Sequence, residues 1–240
     1  MEQIYEQELL VAPSLSDSAG ALGYHDAFSV FMDIASVHAQ LLGVGLDDMA
    51  RRDLFWLTVK TQVCFFDRPK IMERVTVRTW PEAPGRLRGN RSYQILRGDE
   101  VLVAGKTEWA ILNMKTNQLV PMGGVYPQEL SFDRGTACPE PFARIADDFD
   151  GAAVGSYTVR STDIDVGRHM NNTAYLRSIL GFFPCRELHD APIRRIDVAF
   201  RTPCYEGDVL ELQERQTDAG LDVRLSRDGA TALLARFLRD

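Results

Sequence analysis

Apolar positions recur every three or four residues between positions 28 and 42, which is the spacing of one face of a helix. They form two neighbouring stripes, Phe28, Phe31, Ala35, His38 and Leu42 in one, and Val30, Ile34, Val37 and Leu41 in the other. A helix that is apolar over so much of its circumference is usually wrapped by other structure. Gly43 and Gly45 supply a stop signal. The pattern therefore predicts a buried helix that ends near residue 42.

The stretch that follows the helix changes to β-branched and aromatic residues. The predicted strands cover residues 55–66, 74–80, 87–96 and 101–114, with prolines and glycines between them. A short strand-like run also precedes the helix, at residues 5–10. One helix together with a run of antiparallel strands is an α+β unit.

Prolines, glycines and finally aspartates dominate residues 121–150, so this stretch is predicted to be a linker. After it the same order of elements returns. A strand is predicted at residues 156–160, a helix at 172–183, and further strands at 195–201, 209–216, 221–226 and 230–238. We therefore predict an N-terminal domain at 1–120, a linker at 121–150 and a C-terminal domain at 151–240.

The two halves also match in their letters, which indicates an internal repeat. Gly23-Tyr24-His25 is matched with Gly167-Arg168-His169, each just ahead of a predicted helix. In this match Ala21 takes the place of Asp165. We therefore expect the chemistry to be confined to the second half.

Composition excludes several classes of function. The chain has 240 residues and a formal net charge of -7, which argues against a nucleic-acid-binding protein. No apolar run reaches the roughly 18 residues that span a bilayer, and the acidic first ten residues do not resemble a secretory signal. The four cysteines form no CxxC pair and the four histidines no HExxH motif, so we expect free thiols in the cytoplasm, and neither a metal nor another cofactor.

Candidate chemistry gathers in residues 163–172. Asp165 and His169 are four residues apart across a glycine, and a tight turn could direct both side chains into one pocket. Asn171 or Asn172 fits the N-cap of the following helix, whose first amides could hold an oxyanion. An imidazole there could take a proton from water. The alternative is an Asp, Gly and Asn turn that only starts a helix.

The motif DxDxxxHxNNxxYL resembles the catalytic segment of the acyl-ACP thioesterases of plants and bacteria. It is formed here by Asp163, Asp165, His169, Asn171, Asn172, Tyr175 and Leu176. The segments MDIASVHAQLLGVG, FWLTVKTQVCFFDRP and RVTVRTWP in the first half resemble the same family. The resemblance implies an α+β double hotdog fold, two repeats in which an antiparallel sheet wraps a central helix. It also implies hydrolysis of fatty acyl-ACP to free fatty acid and ACP, a reaction of fatty acid biosynthesis.

By the same resemblance Asp165 and His169 are the catalytic residues, and Cys204, which falls on a cysteine that the family places near the site, is a third catalytic candidate. Gly167 stands where the family has asparagine, and Pro203 where plant enzymes have an acidic residue. Asn171, Glu206 or a water could substitute. An acyl-CoA thioesterase of the same fold, or a hotdog protein that binds acyl groups without catalysis, are the alternatives.

Two further sets of residues are candidates for binding the substrate. An acyl-chain pocket in the first half would be lined by Phe28, Phe31, Met32, Ala35 and Trp56, although each is equally explained as core. A basic patch that docks the acidic carrier protein would consist of Arg86, Arg88, Arg91, Arg194 and Arg195, and the alternative is solvated surface. The implied partner is acyl carrier protein with its acyl phosphopantetheine. The sequence leaves open whether two chains pair as a homodimer.

Overall fold

The computed structural model describes residues 3–239. Positions 1, 2 and 240, which bound the predicted domains and include Glu2 of the acidic first segment, lie outside the described residues. The chain divides into two compact units, with the boundary between Pro141 and Phe142. They are called unit 1 and unit 2 below. None of the described helices combines the length and the apolar character needed to cross a membrane.

Unit 1 contains a single antiparallel sheet. Its elements are β1 (Tyr5–Leu10), α1 (Tyr24–Leu41), α2 (Leu46–Ala50), β2 (Leu54–Phe65), β3 (Arg74–Pro81), β4 (Arg88–Arg97), β5 (Glu100–Asn113) and β6 (Gln118–Val120). The strand order is β1-β3-β4-β5-β2, and β6 pairs with the end of β5. The predicted helix and the five main strands are therefore confirmed to within a few residues.

The long helix α1 packs on one face of this sheet. The ring of Phe31 stacks on Tyr93 of β4, with 4.7 Å between ring centroids. Gly105 of β5 makes this approach possible, since a Cβ at that position would lie 2.6 Å from Cε2 of Phe31. The second apolar stripe is only partly buried, because Val37 and Leu41 are exposed. A sheet wrapped around a central helix is the hotdog arrangement.

The first part of the predicted linker is packed against unit 1. Met122, Val125 and Leu130 join a buried cluster with residues of α2 and β5. Farther on, the Lys106 ammonium donates to the carbonyl of Cys138, 2.7 Å away. Lys106 follows Gly105 on β5, so it points to the opposite face from α1. The segment therefore covers the outer face of the sheet, which its many prolines and glycines did not reveal.

Unit 2 repeats the architecture with a shorter helix. Its elements are β7 (Ala152–Thr158), α3 (Asn172–Leu180), α4 (Cys185–Asp190), β8 (Ile193–Phe200), β9 (Val209–Thr217), β10 (Gly220–Arg227) and β11 (Ala230–Arg239). The antiparallel order is β8-β11-β10-β9-β7. The helix α3 has nine residues where α1 has 18, and it buries Tyr175, Leu176 and Ile179. The chain is thus an α+β protein with two hotdog units, as predicted.

A buried carboxylate lies between two arginines in the sheet of unit 2. Asp222 of β10 is fully buried and accepts from Nε and Nη2 of Arg236 on β11, at 2.5 and 2.9 Å. Arg215 of β9 reaches the same carboxylate at 3.5 Å, and its guanidinium lies over the ring of Phe149. Because the carboxylate is paired from both sides, its burial is compensated.

Candidate active site

A closed turn joins β7 to α3 in unit 2. The amide of Asp165 donates to the carbonyl of His169 (3.0 Å), and the amide of Arg168 donates back to the carbonyl of Asp165 (2.9 Å). Outside these bonds, Ile164 and Met170 form an isolated antiparallel bridge. The backbone therefore brings residues 165 and 169 side by side, although three residues separate them.

The side chains of Asp165 and His169 meet at the open side of this turn. Oδ1 of Asp165 lies 3.7 Å from Nδ1 of His169, and the two side chains are 23% and 29% exposed. This distance is too long for a hydrogen bond, as often occurs in catalytic pairs without substrate. The amide of Gly167 donates to the same oxygen of Asp165 at 2.8 Å. The carboxylate is thus oriented by the backbone and accessible to water.

Gly167 is required for space rather than for an unusual backbone angle. A Cβ at this position would lie 2.8 Å from Nε2 of His169 and 3.0 Å from Oδ1 of Asp165. The asparagine expected from the family would therefore displace the imidazole from its present place. The glycine lets the ring of His169 fold back over the turn, and its amide orients Asp165 in place of a side-chain amide.

The buried side chain of Asp163 stabilises the turn through three hydrogen bonds. Its side chain is 1% exposed; Oδ2 accepts from the Tyr157 hydroxyl and the Arg160 amide, both at 2.8 Å, and Oδ1 accepts from Nη2 of Arg177 at 2.6 Å. Burial raises the pKa of Asp163, but these three donors outweigh it and hold the pKa below its usual value. Asp163 thus links β7, the turn and α3 as an ionised carboxylate. Sequence analysis did not identify its three partners.

Asn171 is the N-cap of α3, and Asn172 is the first helical residue. Oδ1 of Asn171 accepts from the amide of Thr173 at 2.8 Å and from its hydroxyl at 2.9 Å. The cap therefore uses the Thr173 amide, which cannot then bind an oxyanion. The helix start can still interact with a substrate through the positive end of the helix dipole.

Cys204 lies beside the turn, but its thiol is not placed for nucleophilic attack. Its carbonyl accepts from the Met170 amide at 2.7 Å, and its amide donates to the Tyr175 hydroxyl at 3.0 Å. The side chain is fully buried, and burial raises the pKa of the thiol. The residue therefore supports the turn through its backbone, which argues against the catalytic role proposed from the family resemblance.

The same turn occurs a second time, in unit 1, just before α1. The amide of Asp17 donates to the carbonyl of Ala21 (2.9 Å), and the Asp17 carboxylate accepts from the amide of Ala19 (2.9 Å). Ser16 and Leu22 form the flanking bridge. Each of these contacts has its counterpart in the turn of unit 2. The equivalent residues are Asp17 and Asp165, Ala19 and Gly167, Gly20 and Arg168, and Ala21 and His169.

This equivalence corrects the register of the internal repeat. The match of Gly23-Tyr24-His25 with Gly167-Arg168-His169 is wrong by four residues, since Gly23 is the N-cap of α1 as Asn171 is that of α3. His25 is therefore not the counterpart of His169. The counterpart of Asp165 is an aspartate, Asp17, where the sequence match placed Ala21.

The turn of unit 1 lacks the elements of catalysis despite its aspartate. Ala21 supplies no imidazole, and Asp17 is ion-paired with Arg68, whose guanidinium also lies 4.2 Å from the centre of the Tyr24 ring. The carboxylate in unit 1 is therefore neutralised by a neighbour. Of the two equivalent turns, that of unit 2 alone combines a carboxylate with an imidazole.

The five predicted pocket residues all lie in unit 1. Phe28, Phe31 and Ala35 are buried, while Met32 and Trp56 are partly buried. The indole N–H of Trp56 donates to the carbonyl of Val44 at 2.9 Å. The Phe31 ring and the Trp56 indole are therefore held in place by contacts within unit 1.

One of the predicted docking arginines does not fit that role. Arg91 is 4% exposed, and its Nη1 lies 3.0 Å from Nδ1 of His38 and 3.3 Å from Oγ1 of Thr79, so it cannot reach a partner protein. The other four differ in exposure and pairing. Arg86, Arg88 and Arg194 are exposed, and Arg195 is partly buried. Arg88 pairs with Glu108 at 2.6 Å, and Arg195 pairs with Asp197 at 2.6 Å.

Two family models of known proteins match the two halves of the chain. The family model described as acyl-ACP thioesterase N-terminal domain matches residues 2–126, and the one described as acyl-ACP thioesterase C-terminal domain matches residues 147–236. The chain belongs to the acyl-ACP thioesterase family.

Within residues 3–239, no three His, Cys, Asp or Glu side chains converge to hold a metal ion.

Two curated relatives are plant proteins. The chain is 23% identical over 202 residues to the chloroplastic oleoyl-acyl carrier protein thioesterase of Coriandrum sativum, covering 76% of this chain and 54% of that protein. It is 27% identical over 188 residues to the chloroplastic palmitoyl-acyl carrier protein thioesterase of Cuphea hookeriana, covering 72% and 45%. The chain thus spans about half the length of these relatives.

Solved structures agree in fold with this member of the family. An acyl-ACP thioesterase from Bacteroides thetaiotaomicron matches with a TM-score of 0.85 at 21% identity, covering 99% of this chain and 98% of that one. The 12:0-ACP thioesterase from Umbellularia californica matches with a TM-score of 0.84 at 18% identity, covering 100% and 98%. At such identities the likeness establishes the fold.

Proposed function

We propose that this protein hydrolyses the thioester of a fatty acyl group on acyl carrier protein, releasing free fatty acid and the carrier thiol. One observation carries the proposal. In a chain of this family, the turn of unit 2 places a carboxylate and an imidazole side by side, open to water, and the equivalent turn of unit 1 lacks the pair.

In the proposed reaction His169 accepts a proton from a water that attacks the thioester carbonyl. Asp165 stabilises the imidazolium that forms, at the 3.7 Å separation of the two groups. The positive end of the α3 dipole stabilises the oxyanion. Collapse of the tetrahedral intermediate breaks the C–S bond, and the proton on His169 passes to the departing thiolate. The buried Cys204 takes no part.

Two matched aspartate variants test this assignment. The measurement is release of free acid from acyl-ACP by the purified protein. We expect Asp165→Asn to lower kcat by about 10²- to 10⁴-fold, the range for loss of acid–base assistance. Asp17→Asn makes the same change in the equivalent turn of unit 1 and is expected to leave kcat within about threefold, since Asp17 has no imidazole beside it. Full activity in Asp165→Asn would refute the assignment.

We propose that the acyl chain binds in unit 1 beside α1. Support comes from the wide apolar surface of α1 and from the aromatic side chains near Trp56, where Trp109 and Tyr126 lie 6.2 and 6.0 Å away between ring centroids. Each buried methylene contributes about 0.8 kcal/mol, close to fourfold in binding. Ala35→Val should therefore shift the chain-length profile of hydrolysis toward shorter acyl groups, whereas an unchanged profile would place the chain elsewhere.

For the carrier protein we propose docking through exposed arginines, and of the predicted set Arg86, Arg88 and Arg194 are exposed. Docking by surface charges acts mainly on the association rate and weakens with salt. kcat/KM for acyl-ACP should therefore fall as the salt concentration rises, and more steeply than kcat/KM for acyl-CoA. A value for acyl-ACP that does not depend on salt would contradict docking by charge.

We also propose that the protein acts in fatty acid biosynthesis in the cytoplasm. All four cysteines are free thiols, as suits a reducing compartment. Fractionation of cells that express the protein, followed by immunodetection, tests this location.

A further inference from the structure

Arg168 adopts a backbone conformation that L-residues avoid. Its φ is 62°, in the left-handed region, where the Cβ of any residue other than glycine is crowded. The equivalent position in the turn of unit 1 is Gly20, with φ 68°. The same chain therefore shows that glycine builds this turn without strain. Backbone geometry favours glycine at position 168, so the reason for an arginine there must lie in what its side chain does.

The side chain of Arg168 carries a charge that the protein does not compensate. It is exposed, and within the described part of the chain its guanidinium makes no hydrogen bond or ion pair. By contrast, the neighbouring Arg177 is held by Asp163 at 2.6 Å. The exposed guanidinium of Arg168 thus belongs to the residue that directly precedes His169 in the chain.

The chemistry of the substrate indicates what such a group would meet. With the thioester carbonyl at His169, the departing side of the substrate is a pantetheine arm that ends in a phosphodiester on an acidic protein. A guanidinium binds phosphate and carboxylate through paired hydrogen bonds, and it does so with its charge intact at any physiological pH. Both groups are oxyanions of the carrier, and no carboxylate among residues 3–239 pairs with Arg168.

We propose that Arg168 binds an oxyanion of the carrier side of the substrate and so positions the thioester at His169. This inference rests on the proposed hydrolysis of acyl-ACP. It assigns to Arg168 a role in binding, separate from the proton transfer of His169.

Three variants at this position separate charge from backbone strain. Arg168→Gln removes the charge and keeps a long side chain, Arg168→Lys keeps the charge, and Arg168→Gly relieves the strain. We expect Arg168→Gln to raise KM for acyl-ACP about five- to tenfold with little change in kcat, and Arg168→Lys to restore part of the loss. Arg168→Gly should raise KM as much as Arg168→Gln, yet should not lower the Tm.

A matched control comes from Arg144, another exposed arginine of unit 2 without an ion pair among residues 3–239. Arg144→Gln removes the same charge from the protein and should leave KM for acyl-ACP unchanged. An equal rise of KM in Arg144→Gln and Arg168→Gln would mean that net charge, and not a contact of Arg168, is responsible, and would overturn the inference.

Three substrates identify which oxyanion is bound. A raised KM for both acyl-ACP and acyl-CoA would assign the phosphate, and a raised KM for acyl-ACP alone would assign carboxylates of the carrier. Acyl-pantetheine carries neither group, so an equal rise of its KM, or no rise with any substrate, would overturn the inference. If the wild-type protein hydrolyses no acyl-ACP, the proposed function fails. The binding role of Arg168 is then tested by equilibrium binding of acyl-ACP, and equal Kd values for the wild type and Arg168→Gln would refute that role.

Discussion

The buried carboxylate of Asp163 provides a direct test of how the turn of unit 2 is held. In Asp163→Asn one carboxylate oxygen becomes an amide NH₂, which cannot accept a hydrogen bond. Three donors, from Tyr157, Arg160 and Arg177, now share the carboxylate, so at least one of them loses its acceptor and all lose the negative charge. The change is nearly isosteric, and any effect therefore reports the hydrogen bonds and the charge.

The magnitude follows from these contacts. A hydrogen bond to a charged group contributes about 1.5–3 kcal/mol. The sum over three such bonds overestimates the loss, because asparagine keeps one oxygen that can still accept. The Arg177 side chain is 52% exposed, so solvent screens its share. Removing one partner of a buried charge pair costs about 3–5 kcal/mol. We expect a loss near the lower limit, about 3 kcal/mol at neutral pH. Tyr157→Phe removes one donor and should cost about 1 kcal/mol.

The same contacts fix the pH dependence. The pKa of Asp163 is lowered in the folded protein, so its contribution to stability is complete above the pKa of the unfolded chain, about 4. That contribution is lost as the pH falls through the lower pKa of the folded state. The difference in stability between the wild type and Asp163→Asn should therefore be constant above about pH 5 and shrink below pH 4.

The assay must report on unit 2. All three tryptophans, Trp56, Trp80 and Trp109, lie in unit 1, so tryptophan fluorescence follows the wrong unit. Hydrogen exchange of peptides covering residues 161–180, measured by mass spectrometry at several urea concentrations, gives the opening free energy where the change is made. A loss below about 0.5 kcal/mol at neutral pH, or a loss that stays constant down to pH 3, would refute the reasoning.

Three further predictions concern single side chains. Gly167→Ala should lower kcat about 10- to 100-fold in the acyl-ACP assay, because its Cβ displaces the His169 ring; an unchanged kcat would contradict the steric argument. Cys204→Ala should keep kcat within about threefold and cost about 1 kcal/mol of stability. If the wild type shows an acyl-enzyme burst and the variant does not, the thiol is a nucleophile and the prediction is wrong. Asp222→Asn, which leaves Arg236 without its carboxylate, should cost about 3 kcal/mol by urea unfolding, and a loss under 1 kcal/mol would show that the buried pair is not needed.

The sequence predicted the long elements well because each carries its own periodic signal. The twin stripes of α1 and the β-branched runs of β2 to β5 gave bounds within a few residues. It missed α2, β6 and α4, which have five, three and six residues and are too short to show a period. It also treated residues 121–150 as one linker. The apolar residues among its glycines, such as Met122 and Leu130, are the signal that could have shown packing on unit 1.

The register error in the repeat has a physical cause. Shared letters placed Gly23-Tyr24-His25 on Gly167-Arg168-His169, but the turn is specified by an aspartate whose carboxylate accepts the amide two residues on, and by one left-handed residue. Asp17 and Asp165 meet the first requirement, and two different residue types, Gly20 and Arg168, meet the second. The backbone bonds therefore persist where the letters have diverged, and only the structure shows them.

Comparison of the two turns also explains why Gly167 stands where the family resemblance predicts asparagine. In unit 1 the equivalent residue, Ala19, carries a Cβ and still donates its amide to Asp17 at 2.9 Å. The turn itself thus tolerates a side chain at this position. What forbids one in unit 2 is the imidazole of His169, whose Nε2 would lie 2.8 Å from a Cβ, whereas Ala21 in unit 1 has no ring to displace. The glycine is therefore a consequence of the histidine's position, and this turn can accept an asparagine at position 167 only if the His169 ring moves as well.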